Sequence, residues 1–77
     1  MNLMEEKLIA LVAATLGVDP STLTLDTEAD AIEKWDSVAQ INIVSEIEEQ
    51  FRVSIPIEII SELHTIRDFL PYLGTKS

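Results

Sequence analysis

Apolar residues along this chain recur at helical rather than strand spacing. Between Leu3 and Leu16, Met4, Leu8, Leu11, Val12 and Leu16 stand three to five apart, with Glu5, Glu6 and Lys7 near the start, which predicts an amphipathic helix. Gly17 is placed to take the left-handed conformation that closes a helix, and Asp19-Pro20 opposes continuation. Residues 18–36 are mostly short and polar, with Leu23, Leu25 and Ile32 as apolar anchors. Connections this long in small domains are usually functional. Within it, Asp19 can cap a single helical turn that begins at Pro20.

A second helix is predicted from Asp36 or Ser37 to Phe51. Ile43, Val44, Ile47 and Phe51 fall on one side with Ile41 at the border, a stripe that can face the first helix. Val38, Asn42, Ser45, Glu46 and Glu49 share the other side, so Val38 begins the helix pointing away from the core beside Ser37. An exposed apolar residue at that place hints at a docking contact, although single ones are common on surfaces. Ile55-Pro56 interrupts the pattern, and Pro56 can start a short helix to about Leu63. Thr65 with Asp68 three residues on makes a capping box. Ile66, Phe69, Leu70 and Leu73 then give a last helical face, in which Pro71 predicts a kink or an early end. Three longer helices and one short one, with no alternating strand pattern, predict an all-α fold. Its form is a small four-helix bundle with a long loop between helices one and two.

Seventy-seven residues make one domain, 1–77, and exclude a large enzyme core. The chain is 47% apolar but only 5% aromatic, so aliphatic side chains must build the core, with no disulfide to help. The lack of cysteine also removes a thiolate zinc site and a thiol nucleophile, so any thiol chemistry must be borrowed. Fourteen acidic residues against five basic ones give a net charge of -9, which argues against nucleic acid. A basic partner fits that charge, as does a surface that merely keeps the protein in solution. No apolar run approaches the roughly 18 residues of a membrane span, and the region after Met1 is acidic where a signal peptide would be basic. A cytoplasmic protein is expected.

Catalytic constellations are sparse. His64 stands alone, without a second histidine or a cysteine, and a structural or solvent-facing role is expected for it. Glu48-Glu49 could serve acid/base work only in a cleft that perturbs them, and a solvated face is expected instead. Asp26, Glu28 and Asp30 imitate the opening of an EF-hand loop, but Ala31 replaces the turn glycine and Ser37 the bidentate glutamate. No catalytic or metal-binding residue is therefore expected. Asp36-Ser37-Val38 remains, and it admits two readings. Asp36 or Ser37 can be an N-cap for the second helix. Alternatively, the serine hydroxyl stands exposed at a helix start, where free amides and the dipole favour a phosphate.

Leu16-Gly17-Val18, Asp36-Ser37-Val38, Glu48-Glu49-Gln50-Phe51 and Ile55-Pro56 together, at matching spacing and without a gap over residues 5–73, resemble the acyl carrier protein family and the related peptidyl carrier domains. The resemblance implies that Ser37, flanked by Asp36 and Val38, is the attachment serine for 4'-phosphopantetheine, transferred from coenzyme A by a phosphopantetheinyl transferase. Acyl or aminoacyl groups would ride on the thiol of that arm as thioesters, and the chain itself would catalyse nothing. It also implies that the second helix docks on basic patches of the transferase and partner enzymes through Glu46, Glu48 and Glu49. Asp36 would help to hold the transferase's metal or its basic residues. Carriers of the family can shelter a chain between helices, which the aliphatic core permits.

Several positions depart from the familiar pattern. Glu33-Lys34-Trp35-Asp36 stands in place of Leu-Gly-Ala-Asp, and Val38 in place of leucine. Trp35 is expected to plug the loop against the bundle, or else to border the base of the arm and shape partner choice. Gln40, Asn42 and Ser45 replace a denser acidic run, and Ile57 and Ile59 stand where carboxylates are usual. The two isoleucines can pack inward or give the short helix an apolar outer face for a dedicated partner or a dimer. Expected recognition residues are thus Trp35, Asn42, Glu46, Glu48, Glu49 and Ile57. These departures point to a stand-alone carrier of a specialised pathway rather than the housekeeping fatty-acid carrier, and a monomer is expected. Its own acyl-activating ligase or acyltransferase would load it, with ketosynthase or condensation enzymes as further partners. Two competing readings differ in class. An acidic helical adaptor would bind a basic protein without any cofactor and be indifferent to loss of the Ser37 hydroxyl. A metal-binding sensor would need a calcium response, which the failed loop does not predict.

Overall fold

Asn2 opens the first helix, α1 (Leu3–Leu16), through a reciprocal box in which its Oδ1 accepts from the Glu5 amide at 2.8 Å while its own amide donates to Glu5 Oε1 at 3.2 Å. Gly17 closes it in the left-handed conformation, φ 74°, as expected, and donates to the Ala13 and Ala14 carbonyls. The structure, a computed structural model, describes residues 2–73, so the outermost ends of the expected 1–77 domain lie outside the described residues. The buried stripe of α1 is Leu8, Ile9, Val12, Ala13 and Leu16, with Met4 and Leu11 half-buried beside it. Ile9 and Ala13 thus take core positions that simple spacing gave to Leu11.

The long loop is held at both ends and in the middle. Asp19 caps the single 3-10 turn Pro20–Thr22, accepting from the Ser21 amide at 2.9 Å, and this contact holds its carboxyl below the usual range. Leu23 is buried, whereas Leu25 and Ile32 pack half-buried against the core. A second 3-10 turn covers Ala29–Ala31. Between the two, the Arg67 amide donates to the Leu25 carbonyl at 2.8 Å and the Ala29 amide to the His64 carbonyl at 2.7 Å. Glu28 and Thr65 form an isolated antiparallel bridge there. With its backbone groups paired in this way, the loop is a built part of the fold rather than a loose connection.

Helix α2 (Ser37–Phe51) begins at the Asp36 cap and buries Ile43, Val44 and Ile47 against α1, as the stripe predicts. At its far end Lys7 Nζ of α1 lies 5.4 Å from the centroid of the half-buried Phe51 ring. Arg52 ends α2 in the left-handed conformation at φ 58°, donating to the Glu48 carbonyl, a place where glycine is the usual solution.

The two remaining helices are wound as 3-10 helices, Ile57–Glu62 and Ile66–Tyr72. Thr65 and Asp68 make the predicted capping box at the start of the second of these. Pro71 lies inside it and the helix ends one residue later, so the last helix is seven residues long instead of one of three longer helices. A proline nitrogen has no proton to give, so one rung is missing at Pro71, and the Leu73 amide makes the last bond, to the Leu70 carbonyl at 3.2 Å. Phe69 and Ile66 at 0% exposure close the core from this side, joined by Leu63, Leu73 and Ile55. The architecture is an all-α four-helix bundle with a long loop between α1 and α2, and no strand occurs among the described residues.

Candidate functional site

Ser37 is the first residue of α2, and both readings of its tripeptide meet in one geometry. Asp36 does the capping: its backbone is extended, and its Oδ1 accepts from the Ala39 amide at 2.9 Å. Ser37 is exposed, and among the described residues its hydroxyl makes no hydrogen bond. The side chain that satisfies the helix start is therefore not the one that faces solvent. The hydroxyl stands at the positive end of a 15-residue helix, free to be substituted.

Beside the serine lies an open groove of about 740 Å3. Gln40 and Ile41, one turn beyond Ser37, form one wall; Ile57, Ile60 and Leu63 form the other; Trp35 lies at its base. Asp30 and Asp36 stand at the rim. Two large apolar side chains of its lining are exposed, Ile41 at 59% and Ile57 at 80%, and Val38, next to Ser37 on the side of α2 shared with Asn42, is 67% exposed. Single exposed apolar residues are ordinary, but two that line one groove with Ser37 offer apolar surface beside its hydroxyl.

Trp35 plugs the loop, with only 6% of its surface exposed. Its indole Nε1–H donates to Gln40 Oε1 at 2.6 Å. The amide of Gln40 is used at its other end as well, where Nε2 donates to the carbonyls of Ile60 at 2.9 Å and Leu63 at 3.2 Å. Gln40 thus fastens the loop, the start of α2 and the short 3-10 helix to one another. From sequence it read only as a missing acidic residue; its position one turn after Ser37 was the available signal.

The recognition residues expected from sequence do not all gather here. Trp35 and Ile57 line the groove, the first from within and the second from outside. Ile59, in contrast, packs half-buried against the core, so the two isoleucines divide the alternatives between them. Asn42 and Glu46 flank Ala14 and Thr15 of α1, on a side of α2 that does not line the groove. Glu49 is exposed, whereas Glu48 is half-buried and turned back, its Oε2 accepting from the Ile55 amide at 2.8 Å.

The other chemical candidates have structural employment. Asp26 pairs with Arg67 Nε at 2.9 Å, and this exposed contact holds the carboxyl below its usual range and the guanidinium above its own. His64 is exposed, with its backbone amide donating to Asp68 Oδ2 at 2.9 Å. That bond is the main reason the Asp68 carboxyl lies below its usual value, against a smaller opposing effect of burial and with help from Thr65. Among the described residues no group of three or more histidines and carboxylates is placed to hold a metal ion. Nor is any helix among them long and apolar enough to cross a membrane.

Residues 6–73 match the protein family described as "Phosphopantetheine attachment site". The chain is 34% identical over 68 residues to the acyl carrier protein of Onion yellows phytoplasma, covering 88% of this chain and 90% of that protein. It is 32% identical over 71 residues to the acyl carrier protein of Thermosynechococcus vestitus, covering 92% and 88% respectively. A third similar protein is the acyl carrier protein of Phaeodactylum tricornutum, 33% identical over 67 residues, covering 87% of this chain and 88% of that protein.

Proposed function

The chain belongs to the acyl carrier protein family and bears phosphopantetheine covalently, and on that premise we propose that the attachment residue is Ser37. The observation that carries this reading is the exposed, uncommitted hydroxyl at the start of α2, separated from the capping role by Asp36 and opening beside an apolar groove. Within a phosphopantetheinyl transferase, Ser37 Oγ would give up its proton and bond the phosphorus that carries the pantetheine, as the pyrophosphate bond of coenzyme A breaks and adenosine 3',5'-bisphosphate leaves. When bound, the group supplies the thiol that this cysteine-free chain lacks. The helix start favours the phosphodiester's charge, and the groove walls offer apolar surface next to it.

Residues 1–77 are read as one carrier domain. Asp30 and Asp36 at the rim, and the exposed Glu49 further along α2, would meet basic patches on the transferase and on acyl-loading enzymes. Contacts of this kind speed association and weaken with salt, which suits a protein that must leave each partner. The exposed Val38, Ile41 and Ile57 would supply the close contact once the charges have oriented the pair. Ile57, Asn42 and the structural use of Gln40 make this face less acidic than the familiar pattern. They support a carrier for a specialised pathway with its own ligase or acyltransferase.

Intact mass after incubation with coenzyme A, magnesium and a broad-specificity transferase tests the attachment. The parent should gain one phosphopantetheinyl group and Ser37→Ala none, with both retaining the same helical circular dichroism. A Ser37→Ala variant that still gains the group would remove Ser37 from the reading. Efficient use of the loaded protein by a fatty-acid malonyl transferase and ketosynthase would remove the specialised pathway.

A further inference from the structure

Resting on Ser37 as the attachment residue, we infer that Gln40 is a specificity-determining residue: the seam it makes with Trp35, Ile60 and Leu63 keeps an attached acyl chain in the outer groove and out of the bundle core. The seam joins the start of α2 to residues 60 and 63, so a chain from Ser37 entering the core between those segments would have to part it. Its parts are the 2.6 Å bond from the Trp35 indole to Gln40 Oε1 and the bonds from Gln40 Nε2 to the Ile60 and Leu63 carbonyls at 2.9 and 3.2 Å. All four residues line the groove, so the seam is its floor.

Three features make this floor resist opening. The bonds share one amide, so parting α2 from the segment 57–63 breaks both Nε2 bonds together and strains the bond from Trp35. These contacts are part-buried, and groups freed there lose partners that an alkyl chain cannot replace. Trp35 is 6% exposed and would have to swing out of the core, where Ile43 and Ile47 at 0% exposure leave no slack to take it up. The groove outside offers an easier place. Its walls of Ile41, Ile57 and Ile60 can cover a short acyl group, while its open side leaves a longer one in water. The cargo class that fits is therefore a short or polar acyl group.

The test compares the holo-protein carrying acetyl and octanoyl groups, each confirmed by intact mass, in the parent, Gln40→Met and Trp35→Phe. Methionine keeps the length of glutamine but cannot bond, and phenylalanine keeps an aromatic plug without the N–H. Melting temperature reads burial of the chain, and emission of Trp35, the sole tryptophan, reads displacement of the plug in the parent and in Gln40→Met. The parent should melt at one temperature with either group and show unchanged emission. Gln40→Met should melt several degrees higher with octanoyl than with acetyl, and Trp35→Phe should do so to a lesser degree. A parent whose melting temperature rises with chain length overturns the inference, as does a Gln40→Met protein as indifferent as the parent. A protein that accepts no arm at all is seen as such by mass and removes the Ser37 reading instead.

Discussion

Replacing Asp36 by alanine separates what this residue does for the fold from what it does for the site. In the structure its Oδ1 accepts from the Ala39 amide at 2.9 Å and is the side-chain cap of α2. Loss of an N-cap of this type costs about 1 kcal/mol, within roughly 0.5–2. For a domain of this size that lowers the melting temperature by about 4–8 °C per kcal/mol. Asparagine caps as well as aspartate, so Asp36→Asn should keep most of the stability and lose only the attraction of a charge to the helix end, about 0.3–1 kcal/mol. Thermal unfolding followed by circular dichroism at 222 nm, about the helix minimum, should therefore rank parent, Asp36→Asn, Asp36→Ala. Transfer of the arm, measured by mass at a temperature where all three are folded, should rank differently. Both variants should be slow, because both lack the charge that would face the transferase. An Asp36→Ala protein that melts with the parent would refute the capping argument. If Asp36→Asn fell as far as Asp36→Ala, the charge and not the cap would be holding the helix start.

Three further outcomes follow from the hydrogen bonds and backbone angles. The Asp68 carboxyl lies below its usual 3.8 because the His64 and Thr65 amides bond its charged form, so its contribution is complete above that value and is lost as pH falls through the lower folded value. The stability margin of the parent over Asp68→Asn, from urea midpoints, should accordingly be level near neutrality and shrink in acid; a margin that grows in acid would contradict the sign. Arg52→Gly should stabilise by about 0.5–1 kcal/mol, since a left-handed non-glycine residue costs about 1–2 and the freer unfolded chain takes back roughly 0.4–1; an unchanged urea midpoint would show the φ of 58° to be unstrained. Glu48→Ala and Glu49→Ala each remove one charge, but only the first leaves the Ile55 amide without its 2.8 Å partner, so it alone should lower the midpoint, by about 1–2 kcal/mol.

Elements with a local stop or start were legible in the sequence. Gly17 ends α1, Asp19-Pro20 opens a turn and Thr65 with Asp68 caps the last helix because each signal acts through its own backbone. What needed a partner was not legible. Ile9 and Ala13 turn inward because α2, the loop and the last helix all contact α1, widening its buried face beyond one stripe. The 3-10 winding of Ile57–Glu62 and Ile66–Tyr72 was hidden, since apolar residues three apart satisfy either helix type. Arg52 carries no sign of a left-handed backbone. Asp36-Ser37-Val38 read alone left the cap and the phosphate site open, and the structure gives the cap to Asp36.

The placement of these residues explains how a small bundle fixes the proposed attachment site beside its groove. α2 uses Ile43, Val44 and Ile47 to fix itself in the core, and the rigidity of that face sets where the Ser37 hydroxyl stands. Val38 and Ile41 on α2 and Ile57 across the groove are exposed, so their replacement changes contact with a partner and leaves the core alone. Gln40 and Glu48 are the exceptions, because each is half-buried and bonds a backbone group of the segment that follows. At those two positions a change of surface is also a change of fold. A carrier lineage can therefore alter Val38, Ile41 or Ile57 to suit a new enzyme at small cost, but an acidic residue at position 40 would face the Ile60 and Leu63 carbonyls with no donor to offer them. That constraint, rather than a requirement of any partner, accounts for the amide at position 40, one turn after Ser37.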